Sequence, residues 1–187
     1  MNIVHRWYCN SEGWAKVLQE QVLPGALRGI ELGDHALEVG PGPGRATEWL
    51  RQRTAHLTSI EIDAKLASQL RERVQGKNVT VVDGDATAMP FPDSSFSSAL
   101  SFTMLHHVPA ALQDKLLAEV ARVLRPGAMF VGSDSSPSLT WNIAHLFDDR
   151  NPVDPATFVA RLEHAGFIEA ELPYIGKTGF GWRARKG

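Results

Sequence analysis

Apolar residues along this chain alternate between two rhythms. Short β-rich runs, Ala36–Val39, Leu57–Ile60, Val79–Val82, Ser97–Phe102 and Ala128–Gly132, are separated by segments whose apolar positions recur at helical spacing. Leu66, Leu70 and Val74 recur every four residues behind Asp63, which can cap the helix they define. Leu112, Leu116, Val120 and Val123 form the next stripe behind Pro109, a residue suited to a first helical turn, and Arg125-Pro126-Gly127 stops it. Asp154-Pro155 opens a third helix carrying Phe158, Val159 and Leu162, which Gly166 ends. An earlier amphipathic stretch from Glu12 to Leu23 is broken by Pro24-Gly25. Two closing runs, Phe167–Tyr174 and Phe180–Arg185, with Gly176 and Gly179 between them, read as a hairpin.

This alternation predicts an α/β chain with a parallel sheet and crossover helices. Ligands of such sheets lie across the carboxyl ends of the strands, so residues just behind each strand carry the candidate chemistry. Three acids fall there: Glu38, Glu61 and Asp85. The first strand also leads into Glu38-Val39-Gly40-Pro41-Gly42-Pro43-Gly44, where three glycines at alternate positions mark backbone that a ligand approaches closely. A dinucleotide fingerprint needs its third glycine three residues after the second, and in the two possible registers Arg45 or Thr47 stands there instead. The prolines remove the N–H donors at positions 41 and 43 that a phosphate cradle requires, and no Gly-Lys-Ser/Thr follows.

A strand, an acid at its end and Gly-x-Gly-x-Gly opening a helix resembles motif I of the class I S-adenosylmethionine-dependent methyltransferases. Leu124-Arg125-Pro126-Gly127-Ala128 is similar to the family's turn before the fifth strand, with Ala128 in place of a second glycine. The resemblance covers nearly the whole chain. It implies a Rossmann-like three-layer sandwich, with a mostly parallel seven-stranded sheet whose last strand is antiparallel. It also implies S-adenosyl-L-methionine as cofactor, in a site drawn from Glu38, Gly40, Pro41, Gly42, Gly44, Glu61, Ile62, Asp85, Ala86 and Ser101. In that family the acid at Glu61 accepts the vicinal ribose hydroxyls, the acid at Asp85 takes the adenine amino group with Ala86 as a backbone donor, and Glu38 serves the amino end of the methionine moiety. A carboxylate there suits sulfonium and ammonium charges better than a pyrophosphate.

The segment Ser101-Phe102-Thr103-Met104-Leu105-His106-His107-Val108 follows the fourth strand, which in the family lies beside the transferring methyl group. Methylases of nucleobase amines carry Asn/Asp-Pro-Pro-aromatic at this place. This chain lacks it, although its glycine motif is similar also to the ribosomal RNA adenine dimethylases. Leu-His-His-Val is closer to the small-molecule group called type 11. His106 or His107 can act as general base, or as packed or capping residues, and His106 is favoured because it comes first after the strand. Trp141 and Phe147 are candidate pocket walls or sheet cover. His145, Asp148 and Asp149 have unspecific spacing for a metal, and none is expected.

At 187 residues, with 43% hydrophobic and 21% charged residues, one domain over 1–187 is expected. Residues 1–34 form its helical lid segment, with His5, Trp7, Tyr8 and Trp14, and residues 134–153 its substrate-side insert. A net charge of −2 argues against a protein whose main task is gripping nucleic acid, and Arg183, Arg185 and Lys186 read as a solvated terminal strand. Cys9 is the single cysteine, so no internal disulfide is possible; with no leader-like or membrane-spanning run, a cytoplasmic protein is expected. Two functions follow: an enzyme that methylates a small organic acceptor, or a non-catalytic cofactor-binding or interaction module, since fold does not guarantee turnover.

Overall fold

The structure, a computed structural model, describes residues 11–136, 151–177 and 179–187. Its strands are β1 (His35–Val39), β2 (His56–Glu61), β3 (Val79–Asp83), β4 (Phe96–Phe102), β5 (Leu124–Ser135), β6 (Phe167–Ile175) and β7 (Gly179–Lys186). They form one seven-stranded sheet in the order β3-β2-β1-β4-β5-β7-β6. The first five pair in parallel, and β7 runs antiparallel between β5 and β6. Helices are α1 (Glu12–Val17), α2 (Leu23–Ala26), α3 (Thr47–Leu50), α4 (Ala64–Arg73), α5 (Ala110–Val123) and α6 (Pro155–His164).

Both sheet faces are covered, so the central strands are buried along nearly their whole length, Thr58, Ser59, Ser98 and Ser101 included. Successive residues of a strand point to opposite faces. Leu37, Val39, Ala99, Phe130 and Trp182 pack with Leu116, Val120, Phe158 and Leu162 of α5 and α6. Their neighbours in the chain, Ala36, Leu100 and Val131, pack on the other side with Leu18, Leu23, Leu27 and Leu50. Helix α4 lays Ala67 and Leu70 on Val81. Each large apolar side chain taken fully out of water contributes about 1.5–3 kcal/mol.

Punctuation in the sequence sets the helix starts. Asp63 Oδ1 accepts from the N–H groups of Lys65 at 2.9 Å and Leu66 at 3.1 Å, and Asp154 Oδ1 accepts from Ala156 N–H at 2.9 Å. Two expectations need correction. Pro24-Gly25 does not break the first helical stretch. Leu18–Val22 forms a π turn in which Leu23 N–H donates to the Leu18 carbonyl, and helix continues to Ala26. The wider turn carries the chain past a proline that has no N–H and would crowd a regular α turn. The fifth strand is also longer than Ala128–Gly132. It starts at Leu124, directly behind α5, and its register slips between the Phe96/Leu124 and Ser98/Met129 pairs, so Pro126 and Gly127 sit in a bulge.

β1 lies between β2 and β4, where the order of connections reverses, and a crevice opens at the carboxyl ends of these strands. His5, Trp7, Tyr8, Cys9, Trp141, Phe147 and the possible metal set His145, Asp148 and Asp149 lie outside the described residues.

Candidate active site

A cavity of about 500 Å³ fills that crevice. Its floor is the glycine loop, with Glu38 and Glu61 at the ends of β1 and β2. Asp63, Asp85, Ala86 and Thr87 line one end, Trp14, Leu18 and Phe102 contribute apolar wall, and Met104, His107, Val108 and Leu112 complete it.

Glu38 is 2% exposed. Its Oε2 accepts from Thr47 Oγ at 2.7 Å and from Ser59 Oγ at 2.6 Å. Ser59 stands opposite Glu38 in the β1–β2 register, so pairing of the strands delivers this hydroxyl. Oε1 has no hydrogen-bond partner among the described residues. Burial pushes the carboxyl up to about 7; the two hydroxyl bonds pull it back, and the Glu61 charge adds to the rise. A buried acceptor left open in a cavity wall is suited to a cationic ligand group.

Glu61 braces the loop. Its Oε2 accepts from Gly42 N–H at 2.9 Å and its Oε1 from Asp63 N–H at 3.0 Å, which still leaves lone pairs on both oxygens. Gly40 N–H donates to the Ile60 carbonyl at 2.9 Å and Gly44 N–H to the Pro41 carbonyl at 2.8 Å. With prolines at 41 and 43, every N–H from Gly40 to Gly44 is committed within the protein. The loop has no donors for a phosphate.

The three glycines serve different ends. All have positive φ, +67° at Gly40, +52° at Gly42 and +70° at Gly44. A Cβ on Gly40 would strike the Met104 side chain, and one on Gly44 would strike Leu70 and Arg73. At Gly42 a Cβ would meet nothing within 4 Å. Of the three, only Gly42 has open space beside its Cα; at Gly40 and Gly44 the protein's own side chains occupy the space.

The remaining expected residues divide. Pro41 and Ala86 line the cavity, as does Ile62, which is 70% exposed at its rim. Asp85 lines it too, with Oδ1 accepting from Thr87 N–H at 2.8 Å. Ser101 is fully buried on β4, facing Gly132, and is not among the lining residues. Of the two histidines only His107 reaches the cavity. His106 is 2% exposed, and its Nδ1 lies 2.5 Å from Asp134 Oδ1, while its backbone N–H donates to Oδ2 at 3.2 Å. The two imidazole centroids lie 4.0 Å apart, with the rings tilted by 46°. Thr103, between β4 and the histidines, is held at φ +52° with its N–H on the Ser133 carbonyl at 2.7 Å, a strained conformation for a β-branched residue at a cavity wall. Sequence reasoning missed Thr47, Ser59 and Arg45, and gave no individual role to Thr103 and Met104 in the segment behind β4.

Among the described residues no helix is long and apolar enough to cross a membrane, and no three His, Cys, Asp or Glu side chains are grouped to hold a metal ion.

A family model described as a methyltransferase domain matches residues 37–132. The fatty-acid O-methyltransferase of Mycolicibacterium smegmatis is 36% identical over 107 residues, 56% of this chain and 38% of that protein. A demethylmenaquinone methyltransferase of Tropheryma whipplei is 34% identical over 108 residues, 56% of this chain and 43% of that protein. The chain thus spans less than half the length of these two relatives. Among solved structures, a SAM-dependent methyltransferase from Aquifex aeolicus superposes with a TM-score of 0.76 at 20% identity, over 100% of both chains, which shows a shared fold.

Proposed function

The chain belongs to the class I S-adenosylmethionine-dependent methyltransferases of type 11, and from that premise we propose that it transfers a methyl group to a small organic acceptor. One observation carries this reading of the site: an acid-lined cavity at the β1–β4 crevice whose glycine loop has no N–H to spare. A pyrophosphate would find no backbone donors in that loop and would face four carboxylates, Glu38, Glu61, Asp63 and Asp85, against one guanidinium, Arg45. A sulfonium and an ammonium fit the same charges, and the open, buried Oε1 of Glu38 is the group to receive the ammonium.

When bound, the cofactor supplies a methyl group already activated on sulfur. The protein's share is binding and alignment. Glu61, with lone pairs left after bracing Gly42 and Asp63, accepts the ribose hydroxyls. Ile62 and Ala86 flank the adenine, and Asp85 takes its amino group. Trp14, Leu18, Phe102 and Met104 exclude water and suit an apolar acceptor body. His107, on the cavity wall, is the group in reach of a proton that the acceptor loses.

Binding measurements decide the ligand class. S-adenosylmethionine and S-adenosylhomocysteine are expected to bind in the micromolar range and NAD and ATP far more weakly; NAD binding as tight as either would overturn the assignment. A screen of phenols, quinones, amines and carboxylates with labelled cofactor then reads turnover, and tight cofactor binding with no methylated product would favour a non-catalytic module. Glu61→Ala is expected to cost about 1.5–3 kcal/mol of cofactor affinity. Unchanged affinity would leave Glu61 as a brace for the loop alone.

A further inference from the structure

Resting on the reading above, we infer that Arg45 receives the cofactor's α-carboxylate, so that Arg45 and Glu38 together clamp its amino-acid end. Four carboxylates line the cavity, Glu38, Glu61, Asp63 and Asp85, and Arg45 is the one Lys or Arg among its described lining residues. A ligand bearing two positive groups and one carboxylate suits this inventory only if its negative end meets the guanidinium. Placed elsewhere, that end would be desolvated against like charge.

The glycine loop cannot take this task. Gly40, Gly42 and Gly44 already donate to Ile60, Glu61 and Pro41, and the two prolines have nothing to donate. A loop with ordinary residues at positions 41 and 43 would offer N–H groups to a carboxylate; here a side chain must substitute. Arg45 follows the loop directly and lies at the end where it is needed, because Thr47, two residues on, donates to Glu38 Oε2 at 2.7 Å. Its backbone is anchored as well, since Gln19 Nε2 in the π turn donates to the Arg45 carbonyl at 2.9 Å. The planar fork of guanidinium matches a carboxylate with two parallel hydrogen bonds.

Two ligands separate this role from a structural one: S-adenosylhomocysteine, and 5′-methylthioadenosine, which keeps the nucleoside and thioether but has no amino-acid end. Calorimetry on Arg45→Ala is expected to show a 10- to 100-fold loss of affinity for the first and a change within about twofold for the second, with Arg45→Lys in between. An equal loss for both ligands would make Arg45 a support of the loop and overturn the clamp. Unchanged affinity for S-adenosylhomocysteine would overturn it too, and would turn the guanidinium toward an acid on the acceptor. Wild-type protein that binds neither ligand would instead sink the proposed function itself.

Discussion

Replacing His106 by alanine is expected to lower the stability of the protein by about 3–5 kcal/mol, whereas His107→Ala is expected to leave stability nearly unchanged and to reduce turnover about 100-fold for an acceptor that must lose a proton. The difference follows from where adjacent residues point. The Asp134 side chain is fully buried and takes three donors: His106 Nδ1 at 2.5 Å, His106 backbone N–H at 3.2 Å and Ser135 N–H at 2.6 Å. Deleting the ring removes its closest partner and leaves a buried carboxylate short of a donor. His107 reaches the cavity instead, so its loss touches the reaction more than the fold. Thermal unfolding and single-turnover rates on both variants check the pair. A stable His106→Ala protein with normal cofactor affinity and no turnover would move the base to His106; full turnover in both variants would leave alignment as the source of rate.

Relative to wild type, Glu38→Gln is expected to gain about 3 kcal/mol of apoprotein stability between about pH 4 and pH 8, and to bind the cofactor at least tenfold more weakly. Set against that gain is the cost of an amide NH2 with no acceptor where Oε1 lies. In the folded protein this carboxyl is held up to about 7 by burial, against 4.5 for an ordinary glutamate. Between those values the unfolded chain releases its proton first, so rising pH favours unfolding, and the full cost is present above the folded value. Glutamine keeps the shape and its carbonyl oxygen can still accept from Thr47 and Ser59. The same carboxyl predicts how affinity follows pH. An ammonium beside Oε1 needs the ionised form, so affinity for S-adenosylhomocysteine should rise up to tenfold per unit between about pH 5 and 7 and then level, with proton release on binding below 7. A stability difference between Glu38→Gln and wild type that stays constant from pH 5 to 8, or affinity flat over that range, would show that Glu38 stays charged in the apoprotein.

Most of the sheet was legible because strand and helix periods differ and because Asp63, Asp154 and Gly166 punctuate the chain locally. The exceptions arise where tertiary context overrides a local signal. Pro24 reads as a break, yet a π turn absorbs it against the packed leucines of the first segment. Pro126 and Gly127 read as the end of a helix and are also part of a bulge, because β4 pairs with the chain on both sides of them. At the site, acids behind strand ends were visible one by one. What holds them was not: Thr47 and Ser59 meet Glu38 only after the loop folds back and the register is set. Nor does sequence order alone separate His106 from His107, since the short turn Leu105–His107 sends adjacent side chains to the core and to the cavity.

Gly40 and Met104 occupy one shared volume, the residue at the tip of β1 being bare where the thioether side chain behind β4 lies. The two positions are therefore sterically coupled. Shortening Met104 relieves the steric half of the demand for glycine at 40, and keeping methionine preserves it. Substitutions at the two positions are therefore expected to be non-additive, the cost of a side chain at 40 falling when Met104 is shortened and only the positive φ remaining against it.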